Sequence, residues 1–137
     1  MTRTISPHQA LIYVMVTMAG VDRAISDNEL QRIGRIVQTL PAFEGFDPEK
    51  LVFAAQECGE MLQADGGLDA VLGLIQQDLP QNLHECAYAL AVEVAAVDLA
   101  VQATEIRFLA MLRDRFSLDK LTTAAIERGA QARLARI

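Results

Sequence analysis

Ala19-Gly20-Val21-Asp22-Arg23-Ala24-Ile25-Ser26-Asp27-Asn28-Glu29 has a counterpart 76 residues further on, Ala95-Ala96-Val97-Asp98-Leu99-Ala100-Val101-Gln102-Ala103-Thr104-Glu105. Each stretch leaves a strongly apolar segment, presents an Asp, crosses a turn, and presents a Glu seven residues later. The correspondence reaches beyond the acids. Val16, Ala19, Val21, Asp22, Ala24 and Glu29 recur as Val92, Ala95, Val97, Asp98, Ala100 and Glu105, and Leu30, Ile33 and Ile36 match Ile106, Leu109 and Leu112 in character. The repeating unit reads as a helical hairpin, one mostly buried helix followed by one amphipathic helix. Two such hairpins, at about residues 8–39 and 82–116, pack into a pseudo-twofold core with the intervening helices wrapped around it.

The rest of the chain follows from helix start and stop signals, because no stretch alternates with period two for long enough to build a sheet. Ser6-Pro7 is an N-cap with proline at the first helical position and opens a helix to about Gly20. Ser26 and Glu29 have the spacing of a capping box, and the helix they open places Leu30, Ile33, Ile36 and Val37 on one face until Leu40-Pro41 ends it. Asp47-Pro48 opens a third helix with Leu51, Ala54, Ala55, Cys58 and Leu62 inward, and Asp65-Gly66-Gly67 breaks it. A shorter helix carries Leu68, Val71, Leu72 and Ile75 to Leu79-Pro80; the most apolar one spans about 81–100; the next runs from Thr104 to Phe116. Ser117 is expected to cap the last helix, with Ile126, Ala130, Leu134 and Ile137 at helical spacing. The expectation is one all-α domain over 1–137, a compact bundle of about seven helices.

Composition agrees. The 137 residues are 52% hydrophobic with four prolines, enough apolar surface for one packed core. A net charge of −6 argues against nucleic-acid binding. Arg113, Arg115, Arg128, Arg133 and Arg136 gather late in the chain and read as a solvated face with C-terminal dipole partners. Cys58 and Cys86 cannot form a disulfide framework and read as small buried side chains. The N-terminus lacks the regions of a signal peptide. The run from Ala10 to Val21 is too short to span a bilayer, and Glu93 and Asp98 interrupt the second apolar run. A soluble, cytoplasmic protein without an integral membrane segment is expected.

Asp22, Glu29, Asp98 and Glu105 are the candidate site. A tight hairpin brings each Asp close to its Glu, and adjacent hairpins let all four carboxylates converge. An all-carboxylate set suits a hard divalent cation, Ca²⁺, Mg²⁺ or Mn²⁺; Zn²⁺ fits less well, since neither His nor Cys joins the motif. A plainer account is also open. Glu29 completes a capping box at a helix start, Glu105 sits equivalently, and Asp commonly accepts turn amides. A duplicated hairpin duplicates its caps as well.

These motifs resemble the TerB-like family, named after a tellurite-resistance protein. That family's pattern is an all-α bundle with two internal repeats, each carrying Asp-Gly-x-[Ile/Val]-x-x-x-Glu after an alanine-rich helix. Asp22, Ile25 and Glu29 match the first copy and Asp98, Val101 and Glu105 the second, and the resemblance covers roughly residues 8–134. It implies that the four acids are divalent-metal ligands and that the protein acts in tellurite or other chemical stress. Arg23 and Leu99 stand where the pattern has glycine, and the second turn carries Gln102 and Ala103 opposite Ser26 and Asp27, so the first copy is the stronger half-site.

Elsewhere the chemistry is sparse. His84-Glu85-Cys86 lacks the i, i+4 histidine spacing of a zinc helix and reads as an exposed edge; His8 reads as a solvated helix-start residue. Glu93, at the position matching Thr17, is expected to face solvent or pair with an arginine. There is no Ser-His-Asp or Cys-His set and no Gly-rich phosphate loop after a strand, so a non-enzymatic role is expected. The competing role is a structural protein–protein interaction module, with a protein partner or a second copy of the chain on an exposed helix face.

Overall fold

The computed structural model describes residues 4–20, 25–96 and 103–137. Among them are seven α-helices and no strand: α1 (Pro7–Gly20), α2 (Asp27–Thr39), α3 (Leu51–Gln63), α4 (Gly67–Asp78), α5 (His84–Ala96), α6 (Ala103–Phe116) and α7 (Lys120–Arg133). Two helix starts are built by the predicted side chains, Ser6 at α1 and Ser26 at α2. Ser6 Oγ accepts from the Gln9 N–H at 3.1 Å while Gln9 Oε1 accepts from the Ser6 N–H at 2.8 Å, a capping box that fixes the entry to α1. Asp47-Pro48 opens a 3₁₀ turn, Pro48–Lys50, and α3 begins only at Leu51. Another 3₁₀ turn, Gln81–Leu83, precedes α5.

Ser117 does not cap α7. It lies in the left-handed region at φ 52°, and Asp119 is the cap, its carboxylate accepting from the Thr122 N–H at 2.7 Å. An Asp oxygen accepts this bond as readily as a Ser hydroxyl, and the two residues differ only in register. The Asp65-Gly66-Gly67 break takes its form from both glycines. Gly66 sits at φ +70°, and a Cβ on Gly67 would lie 1.9 Å from the Met61 carbonyl oxygen, so α4 can leave α3 this closely only with glycine there.

α1 is the centre of the bundle. Every residue from Ala10 to Ala19 is buried, which is why its sequence is apolar on all sides instead of on one stripe. It packs on α2, α3, α4 and α5. α5 has the same kind of neighbourhood, packing on α1, α6 and α7, while α4 bridges α1, α3 and α6. Helix pairs therefore match along the chain: α2 and α3 lie on α1 as α6 and α7 lie on α5. One pair of side chains makes the match concrete. Thr17 on α1 is fully buried, 3.6 Å from Cys58 Sγ on α3; Glu93, at the corresponding place on α5, reaches Arg133 on α7 at 2.8 Å.

Other core positions follow the expected faces. Ile33, Val37, Ala54, Cys58, Val71, Leu72 and Ile75 are buried, with Leu30, Ile36, Leu62 and Leu68 packed at the margin. Of the apolar set expected on the last helix, Ala130 is buried and Ile126 half-buried within α7, while Leu134 is its half-buried C-cap and Ile137 lies exposed beyond it.

Candidate functional site

Glu29 is the third residue of α2, and its two predicted bonds are both made. The Ser26 N–H donates to Glu29 Oε1 at 3.0 Å, and the Glu29 N–H donates to Ser26 Oγ at 3.2 Å. Two of the otherwise unpaired amides at the helix start are satisfied this way, and the carboxylate sits at the positive end of the helix dipole. The side chain is also drawn below the surface, only 9% exposed. Glu105 is the third residue of α6 and is 8% exposed. The two glutamates thus occupy the same place in their helices, each on a helix packed against one member of the α1–α5 pair. The other two candidates, Asp22 and Asp98, lie outside the described residues.

An ionised carboxylate this far from water needs compensation. Among the described residues no buried side-chain N or O atom lacks a hydrogen-bond partner. Nor do three His, Cys, Asp or Glu side chains gather there in a way that could hold a metal ion. Carboxylate oxygens are hard donors of the kind Ca²⁺, Mg²⁺ or Mn²⁺ takes.

The histidines have structural settings that local sequence did not reveal. His84 is half-buried, its ring stacked on Phe116 with centroids 4.2 Å apart and Nε2 3.0 Å from the Leu79 carbonyl oxygen. It is therefore not on an exposed edge. Burial pushes the Cys86 thiol above its ordinary pKa, which suppresses the reactive thiolate. His8 packs against Phe43 and Phe46, centroids 5.8 and 5.3 Å away, at the edge of a cleft of about 650 Å³. That cleft is lined with Phe46, Phe53 and Ala54 and rimmed by Asp47, Glu49 and Lys50.

Sequence reasoning also missed a polar junction between α5, α6 and α7. The Tyr88 ring is fully buried, and its hydroxyl donates to Glu127 Oε2 at 2.7 Å while accepting from Arg113 Nη1 at 2.8 Å. Arg113 and Glu127 also approach each other at 3.7 Å. Burial, and the proton held toward Glu127, push the Tyr88 hydroxyl up to about 12, with Arg113 pulling the other way. These residues are 25 and 39 positions from Tyr88, so no local spacing announces them. The late arginines are thus partly spoken for: Arg113 here, Arg115 with Asp69 at 3.1 Å, and Arg133 with Glu93.

Comparison with protein-family models, with curated proteins and with solved structures returns no match. Among the described residues, no helix is long and apolar enough to cross a membrane.

Proposed function

We propose that this chain is a non-enzymatic helical domain whose acidic turns, Asp22 to Glu29 and Asp98 to Glu105, hold a divalent cation, with the first turn the stronger half-site. The observation that carries this reading is the burial of Glu29 and Glu105 at the same position of α2 and α6. Glutamates at a helix start gain their dipole and capping stabilisation while still in water. Drawing both under the surface places carboxylate oxygens where a cation's charge is screened least. Hard oxygen donors favour Ca²⁺, Mg²⁺ or Mn²⁺ over Zn²⁺. The TerB-like resemblance, and the tellurite or chemical-stress role it implies, belong to this proposal and rest on the motif residues alone.

A second reading is favoured by the completed capping box of Ser26 and Glu29. In it the acids are caps only, and the domain is a structural module for protein–protein interaction. Thermal melting separates the two readings. A cation that binds only the folded state, at about a hundred times its Kd, contributes about 2.7 kcal/mol and raises the midpoint by several degrees. The cation reading predicts such a rise with millimolar Ca²⁺, Mg²⁺ or Mn²⁺, its reversal by EDTA, and its loss in Asp22→Asn/Asp98→Asn. Midpoints indifferent to every cation, or equally raised in that variant, would leave only the capping role.

A further inference from the structure

The charges of this chain are segregated. Residues 36–106 hold twelve of its eighteen acidic side chains but one of its twelve lysines and arginines, whereas residues 107–137 hold seven of the basic ones and three acids. Two exposed helix faces carry this contrast together with apolar side chains that nothing in the fold covers.

The first face is the outer side of α3 and the turn before it. Val52 and Phe53 are 50% and 65% exposed there, flanked along the same face by exposed Glu49 and Glu60. Phe53 also forms a wall of the 650 Å³ cleft whose other apolar lining is Phe46 and Ala54. Asp47 and Glu49 outnumber Lys50 at its rim.

The second face is the outer side of α7. Leu121 is 81% exposed, and Ala124, Ala125, Arg128 and Ala132 follow it at i+3, i+4, i+7 and i+11, all exposed, with exposed Lys120 alongside. α7 packs on α5 through its opposite side, where Thr123 and Ala130 are buried. Neither Glu49 and Glu60 nor Lys120 and Arg128 form an ion pair with another described residue.

We propose that these two faces are the halves of one self-association contact: α7 of one copy docks on α3 of another, with Leu121 entering the cleft beside Phe53. Shape and charge both select this pairing. Ala124, Ala125 and Ala132 are small and exposed, so this face of α7 can approach Phe53 closely, and the α3 cleft has room for Leu121. Lys120 and Arg128 then meet Glu49 and Glu60. The same-face alternatives fail on charge, since α3 on α3 brings Glu49 and Glu60 against their own copies and α7 on α7 does the same with Lys120 and Arg128. The contact joins two different faces: made twice about a twofold axis it closes an isologous dimer, and made once per neighbour it builds a ring or an open chain. It does not involve the acidic turns, so it stands or falls separately from the cation reading.

Sedimentation of the whole chain tests this from micromolar to millimolar protein, in about 10 mM and about 0.5 M salt, where the screening length differs roughly fivefold or more. The expected result is a mass rising above the 15.0 kDa monomer at low salt and returning toward it at high salt. Phe53→Ser, and separately Lys120→Glu/Arg128→Glu, weaken association by at least about tenfold. Mixing Lys120→Glu/Arg128→Glu with Glu49→Lys/Glu60→Lys restores association between the two variants. All these positions are exposed, and circular dichroism verifies that each variant keeps its helices. A 15.0 kDa species at every concentration in low salt overturns the proposal. So does an association that the substitutions leave unchanged, or a pair of charge variants that fail to combine.

Discussion

Replacing Tyr88 by phenylalanine removes one oxygen and nothing else from the junction of α5, α6 and α7. The ring stays in its fully buried place, so no cavity of consequence opens. What is lost is the bond donated to Glu127 at 2.7 Å and the bond accepted from Arg113 at 2.8 Å. Hydrogen bonds to charged groups contribute about 1.5–3 kcal/mol each, but Arg113 and Glu127 already lie 3.7 Å apart and can close on each other, and both reach water. The net loss is therefore about 1–2 kcal/mol, read as a fall in melting midpoint of about 3–8 °C at neutral pH. The pH dependence gives a sharper signature. With the folded hydroxyl raised to about 12, by burial first and the bond to Glu127 second, the folded protein keeps a proton that the unfolded chain releases near 10. The tyrosine's contribution is complete below about pH 10 and is lost as pH rises toward about 12. The full shift converts to a ceiling of about 2.7 kcal/mol, but Arg113 and Glu127 are 36% and 41% exposed and solvent screens them, so about 1 kcal/mol is expected. Denaturant unfolding of both proteins at pH 8 and at pH 11.5 measures it, and the gap between wild type and Tyr88→Phe narrows at the higher pH. The ultraviolet titration of wild type minus Tyr88→Phe isolates the hydroxyl itself. A midpoint near 10 in the folded protein, or a variant as stable as wild type at pH 8, would refute this account of the junction.

Gly67→Ala places a Cβ on the Met61 carbonyl, which is backbone and cannot swing away, so a loss of about 3 kcal/mol is expected by denaturant unfolding. Gly73→Ala, inside α4 with open space around its Cβ, is the control and gains up to about 1 kcal/mol. Ser26→Ala removes the hydroxyl that accepts from the Glu29 N–H and costs about 1 kcal/mol, measured the same way.

The seven helices were legible because their boundaries and buried faces are written in local sequence. The apolar runs, the capping box at Ser26 and the helix ends at Leu40-Pro41 and Leu79-Pro80 are local signals, and the helices obey them. Glu93 was legible too: an acid in an apolar helix needs a partner, and Arg133 supplies it. What local pattern could not give was register and long-range pairing. Ser117 and Asp119 are both good caps two residues apart, and tertiary packing chose the second. His84 and His8 look solvated in sequence because their aromatic neighbours, Phe116, Phe43 and Phe46, arrive from distant segments. The same holds for Tyr88, Arg113 and Glu127. Of the four acids, the placement of Glu29 and Glu105 at helix starts followed from spacing, but their burial did not, since it depends on how α2 and α6 lie on α1 and α5.

The central claim is that Glu29 does more than cap α2, and Glu29→Gln isolates that surplus. Glutamine keeps a side-chain oxygen for the Ser26 N–H, so the capping box survives while the negative charge is gone. Titrating Mn²⁺ into wild type and variant, with bound ion counted by electron paramagnetic resonance, measures the difference directly. A cation-holding turn predicts uptake by the wild type and affinity at least about tenfold weaker in Glu29→Gln, the loss of one charged ligand. No uptake by either protein, or equal uptake by both, contradicts it and leaves Glu29 as a helix cap.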